Sequence, residues 1–150
     1  MIWWFLLAAA MFVLGGLLSV QPSKTQKRIA KLRESAMQKG LYVKLPTSLK
    51  FPQAAVKSEH PYYCINLKDR SLANRYAHLI RTQDGKLPDS THMDSLQTKL
   101  RDIFVDLPSQ YTAIYLGAGL AGISWNEAEC LSVPEELVKA LSELEMKLSA

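Results

Sequence analysis

The first twenty positions of the chain carry no charged side chain, and ten of them are Leu, Ile, Phe or Val. At 1.5 Å per residue, about twenty helical residues reach roughly 30 Å, the hydrocarbon thickness of a bilayer. Those ten residues favour insertion by roughly 3–6 kcal/mol, more than Gly15, Gly16 and Ser19 take back. The pattern predicts a transmembrane helix over residues 1–20. A buried soluble helix fits less well, because core helices seldom stay apolar for so long.

Pro22 breaks the run, and Ser23 with Gln26 has the form of a capping box. No Gly or Pro follows until Gly40, so a second helix is expected over 23–39, with Ile29, Leu32 and Ala36 as a narrow apolar stripe. Leu41, Val43 and Leu45 then alternate as the inward face of a short strand. The segment after it, carrying Pro46, Pro52 and Pro61, reads as a loop lying across the domain. Residues 62–67 are β-favouring. Residues 72–81 fit either helical or strand spacing, and the reading leans towards strand.

Beyond that point the periodicity is clearer. Met93, Leu96, Leu100, Ile103, Phe104 and Leu107 repeat at helical spacing between Thr91 and Pro108, with Asp94 in the first turn. Residues 111–116 and 120–125 read as a hairpin joined by a glycine turn. A capping box from Ser132 to Glu135 opens a closing helix whose apolar face is Val133, Leu137, Leu141, Leu144 and Leu148. Tight turns between strands, without regular βαβ alternation, indicate an α+β fold: a two-layer domain of mainly antiparallel sheet with helices on one face. The organisation expected is a transmembrane helix at 1–20, a basic juxtamembrane helix at 21–40 and a cytoplasmic α+β domain at 41–150.

Charge sharpens this picture. The net charge is +4, yet residues 21–50 hold eight Lys or Arg against the single acid Glu34, while the remainder is acidic. Lys24, Lys27, Arg28, Lys31 and Arg33 crowd one end of the apolar run, and Trp3 and Trp4 stand at the other. The positive-inside rule places that basic end in the cytoplasm and the N-terminus outside. A cleaved signal peptide is the competing reading, but it wants basic residues before the apolar core and a small-x-small site after it. The five basic residues serve topology and are also candidates for contact with a lipid surface. No aromatic interleaving supports nucleic-acid binding, and none is expected. Ala8, Gly15 and Ser19 share a small-residue face that would admit another helix.

Candidate chemistry is sparse. Gly117, Gly119 and Gly122 match G-x-G-x-x-G, but the residues after them continue as strand, whereas a phosphate site needs a helix N-terminus there. Cys64 and Cys130 match no disulfide framework, and with His60, His78 and His92 they form no metal spacing. Glu127 and Glu129 at a strand end read as solvated acids. No catalytic residue, metal ligand or cofactor is expected.

The stretch Leu32-Arg33-Glu34-Ser35-Ala36-Met37-Gln38-Lys39-Gly40-Leu41-Tyr42-Val43-Lys44-Leu45, with the apolar run before it, resembles small single-pass bacterial inner-membrane proteins of uncharacterised function. In these a span, a basic helix and a strand beginning Gly-Leu-x-Val follow in order. The resemblance covers the first third of the chain; it implies a bacterial inner membrane and supplies no activity. The function expected is that of a membrane-anchored accessory or scaffold protein, with the bilayer and a membrane or cytoplasmic protein as partners. The alternatives are a tethered ligand-binding or regulatory domain, with Tyr62, Tyr63, Tyr111, Tyr115 and Trp125 lining a pocket, and a small thiol-dependent enzyme built on Cys64 or Cys130.

Overall fold

A computed structural model describes residues 2–53, 55–130 and 132–149. Its sheet is organised around the glycine turn. Ala118 and Gly119 have φ of 51° and 76°, the paired positive values of a type I′ turn, whose twist matches that of the strands it joins. It links two strands here numbered β4 (Tyr111–Gly117) and β5 (Leu120–Trp125). β2 (Tyr62–Asn66) pairs with the other side of β5, β1 (Tyr42–Lys44) pairs with β2, and β3 (Ala77–Ile80) pairs with β4. The five-stranded order is β1-β2-β5-β4-β3, antiparallel at every pairing.

The helices are α1 (Ile2–Ser19), α2 (Lys24–Gln38), the single turn α3 (Arg70–Ala73), α4 (Ser95–Val105) and α5 (Glu135–Ser149). α2, α4 and α5 cover one sheet face. Leu32 and Ala36 of α2, Leu100 and Phe104 of α4, and Leu137, Leu141 and Leu144 of α5 share one core with Tyr63, Ile114, Leu116, Ile123 and Trp125. The other face is closed by the proline-bearing strap between β1 and β2. Leu49 and Phe51 of this strap pack with Tyr62, Cys64, Ala113 and Tyr115. Two covered faces explain why Ala113–Gly117 is buried continuously instead of alternating.

A bulge at Thr112 sets which side the start of β4 faces. Tyr111 pairs with Trp125 and Ala113 with Ser124, leaving Thr112 as the extra residue. Tyr111 consequently joins the helix-side core, while Ala113 and Tyr115 belong to the strap side.

The structure corrects several local expectations. The first strand is shorter than residues 41–45. Leu41 instead closes α2: its N–H reaches the carbonyl of Ala36 and that of Gly40 reaches Met37, with Gly40 at φ 81°. This is a Schellman cap. Leu45 is 49 % exposed, because the turn at Pro46–Ser48 redirects the chain before a third inward position is reached. Residues 72–81 hold the end of α3 and then β3, the strand towards which the spacing leans; α3 stops at Ala73, before Tyr76 could continue a helical repeat. Asp94 is the N-cap of α4, in a capping box with Gln97, and lies just ahead of the first turn. α5 begins at Glu135, with the Pro134 carbonyl accepting from Leu137 and Val138, which leaves Ser132 outside the helix.

Candidate functional site

α2 connects the apolar N-terminal helix to the folded domain, and its sequence explains how. Ser23 and Gln26 form the expected reciprocal capping box, with Oγ accepting from the Gln26 N–H at 3.2 Å and the Gln26 side chain accepting from the Ser23 N–H at 2.9 Å. From that start, Leu32 and Ala36 are carried into the core.

The basic residues divide around this buried stripe. Arg33 turns to the domain: its Nε donates to Oε1 of Glu127 at 2.8 Å and its Nη2 to Oε2 at 2.7 Å. Glu127, only 5 % exposed, also accepts from the Tyr63 hydroxyl at 2.8 Å. The Glu127 hydrogen bond holds the guanidinium of Arg33 above its ordinary range, outweighing partial burial. Burial, followed by the same carboxylate, holds the Tyr63 phenol protonated. Nearby, Nη2 of Arg28 donates to the Ala128 carbonyl at 2.5 Å. Among the described residues Lys24, Lys27 and Lys31 make no such contact, and all three are exposed.

The short turn Glu127–Glu129 is therefore a docking point for α2. Glu127 is not the solvated acid that its place at a strand end suggests: Asn126 caps the turn through the Ala128 N–H, which aims Glu127 inward. Only the approach of Arg33 and Tyr63 from distant segments marks its role.

α1 is long and apolar enough to cross a bilayer, a property it shares with a signal sequence near an N-terminus, and none of its residues is buried. Ala8, Gly15 and Ser19 are exposed on it, and Ser19 Oγ donates to the Gly15 carbonyl at 2.8 Å.

The other candidates are placed as follows. Gly117 and Gly119 belong to the hairpin and its turn. Gly122 sits opposite Cys64, where an added Cβ would lie 2.5 Å from Sγ. Tyr62, Tyr63, Tyr111, Tyr115 and Trp125 are fully buried core side chains. His78 joins the strap-side aromatics, its Nε2 2.8 Å from the Tyr62 hydroxyl, and burial lowers its pKa to about 4. Burial pushes the Cys64 thiol up to about 12, which makes it an inert thiol at neutral pH. Among the described residues, no three His, Cys, Asp or Glu side chains gather as a metal site.

One cleft, of about 570 Å³, opens between the strap and the ends of β3 and β4, bordered by Lys57, Ser58, His60, Arg81 and Thr112. At its floor Ser58 Oγ lies 2.8 Å from Ser124 Oγ and 3.2 Å from Thr112 Oγ1. The strap brings these hydroxyls together across 54 and 66 residues, so no local spacing announces them. No protein-family model, curated protein or solved structure matches this chain.

Proposed function

We propose that the chain is a membrane-anchored accessory or scaffold protein, retained by α1 in a bacterial inner membrane with its N-terminus outside. α1 and α2 together hold the α+β domain at the cytoplasmic surface, where it engages a protein partner. The observation that carries this reading is the attachment of α2 to the domain through Arg33, Glu127 and Tyr63. A helix joined to the domain by core packing and a two-point ion pair transmits the position of the anchor, whereas a loose linker would not. The test is crosslinking in intact membranes with mass spectrometry, for the native chain and for one whose α1 is replaced by an unrelated span. A partner captured by both chains supports the reading; reproducible absence of one in both overturns it. Alkaline carbonate extraction and N-terminal sequencing check retention, and a mature chain beginning after residue 20 would sink the anchor.

The cleft beneath the strap favours a second reading, a membrane-tethered ligand-binding or regulatory domain. Its border carries Lys57 and hydroxyl groups beside the acid Glu59, while Arg81 gives its Nη2 to the carbonyls of Phe104 and Leu107, a mixed polar lining that suits a polar small molecule. Thermal stabilisation of the native chain by such a compound, lost in a variant of the exposed cleft residue Lys57, Lys57→Ala, would support it.

A further inference from the structure

The five basic residues of α2 look alike in sequence, but the fold separates them. At about 100° per residue, Lys27 and Lys31 fall about 60° and 20° to one side of Lys24, while Arg33 falls about 180° away. Arg33 is taken by Glu127 and Arg28 borders the domain through the Ala128 carbonyl. Lys24, Lys27 and Lys31 remain as an exposed lysine face. Glu34, the helix's single acid, lies at the edge of that face beyond Lys27.

We propose that Lys24, Lys27 and Lys31 dock on anionic phospholipid headgroups, so that α2 lies along the bilayer surface with the domain held on its other side. This rests on α1 being a retained anchor. Lys24 follows Ser19, the last residue of α1, by five positions. At most about 3.4 Å per residue, that connection keeps the first lysine within roughly 17 Å of the end of the span. That upper bound is about two screening lengths at physiological salt, where attraction is largely screened, so the tether keeps Lys24 close enough to swing into the shorter range over which an anionic surface attracts it. Phospholipid is favoured over a protein or nucleic acid because the tether keeps the surface permanently within reach. The face also offers flexible point charges and no aromatic ring for a base to stack on. Each lysine near such a surface shifts the contact equilibrium by about fivefold, so three shift it by more than a hundredfold.

The test uses the full chain reconstituted in two protein-free bilayers, one of phosphatidylcholine alone and one containing phosphatidylglycerol. Lysines are acetylated briefly and read by mass spectrometry, with Lys139 and Lys147 of α5 as internal references. The expected result is that labelling of Lys24, Lys27 and Lys31 falls severalfold in the anionic bilayer, returns in high salt, and leaves the references unchanged. Equal labelling in both bilayers by a chain that resists carbonate extraction overturns the proposal while leaving the anchor standing. Extraction of the chain by carbonate removes both. Protection found only in native membranes, and absent from anionic lipid, assigns the face to a protein and overturns the lipid proposal.

Discussion

Arg33 and Glu127, 94 residues apart in the chain, meet in a two-point ion pair at 2.8 and 2.7 Å, and the carboxylate is nearly out of water while the guanidinium is about one-third exposed. Removing Arg33 leaves a buried carboxylate whose remaining side-chain partner is Tyr63. Loss of one member of a buried pair costs about 3–5 kcal/mol, and the exposure of Arg33 brings the expectation to roughly 2–3 kcal/mol for Arg33→Ala. Denaturant unfolding measures the loss. Hydrogen exchange then reports its place, with amides of α2 losing protection before those of β4 and β5.

Gly122 and Cys64 lie opposite each other in neighbouring strands, and a methyl group on Gly122 would stand 2.5 Å from the sulfur and 3.2 Å from the Tyr63 carbonyl. Gly122→Ala is expected to destabilise by about 1–3 kcal/mol through overpacking. Adding Cys64→Ala removes the sulfur and recovers part of the loss. A double-mutant cycle with no coupling between the two positions would contradict this account.

His78 is kept neutral in the native state because burial lowers its pKa to about 4, against an ordinary value near 6.5. Between those values the unfolded chain binds a proton that the folded chain refuses. This contribution to stability is therefore present above about pH 6.5 and is lost as pH falls towards 4, by a total of about 3 kcal/mol. The urea midpoint is expected to fall across that window, and His78→Gln to flatten the fall. A parallel slope in the variant would assign the dependence to other groups.

Ala118 holds a left-handed conformation that costs an L-residue energy and costs glycine little. Ala118→Gly is expected to stabilise the domain by about 0.5–1 kcal/mol, read as a rise in melting temperature. Gly119, at φ 76°, donates its N–H to the Ala73 carbonyl and accepts from the Leu67 N–H. Gly119→Val is expected to lose more than Ala118→Gly gains.

Local signals carried much of the architecture. The uncharged run before Pro22 marks α1, Ser23 with Gln26 marks the start of α2, and the apolar repeat from Leu96 to Phe104 marks α4. The glycine turn between residues 111–116 and 120–125 marks the central hairpin. Each rests on interactions within a few residues, which the order of the residues is enough to specify. Residues 72–81 were ambiguous because their apolar spacing suits two periods, and only pairing of Ala77–Ile80 with β4 decides where strand begins.

What tertiary structure alone decided is the use of the charged and polar groups. Lys24, Lys27, Arg28, Lys31 and Arg33 are one basic cluster in sequence, but packing of Leu32 and Ala36 fixes the helix rotation and sends Arg33 to Glu127. Glu127 and Tyr63 are 64 residues apart, and the hydroxyls of Ser58, Thr112 and Ser124 meet only when the strap closes over the sheet. Hydrophobic periodicity specifies which face of an element leaves water. The partner that a buried charge finds there depends on which distant segment packs against that face, and no short-range pattern encodes it.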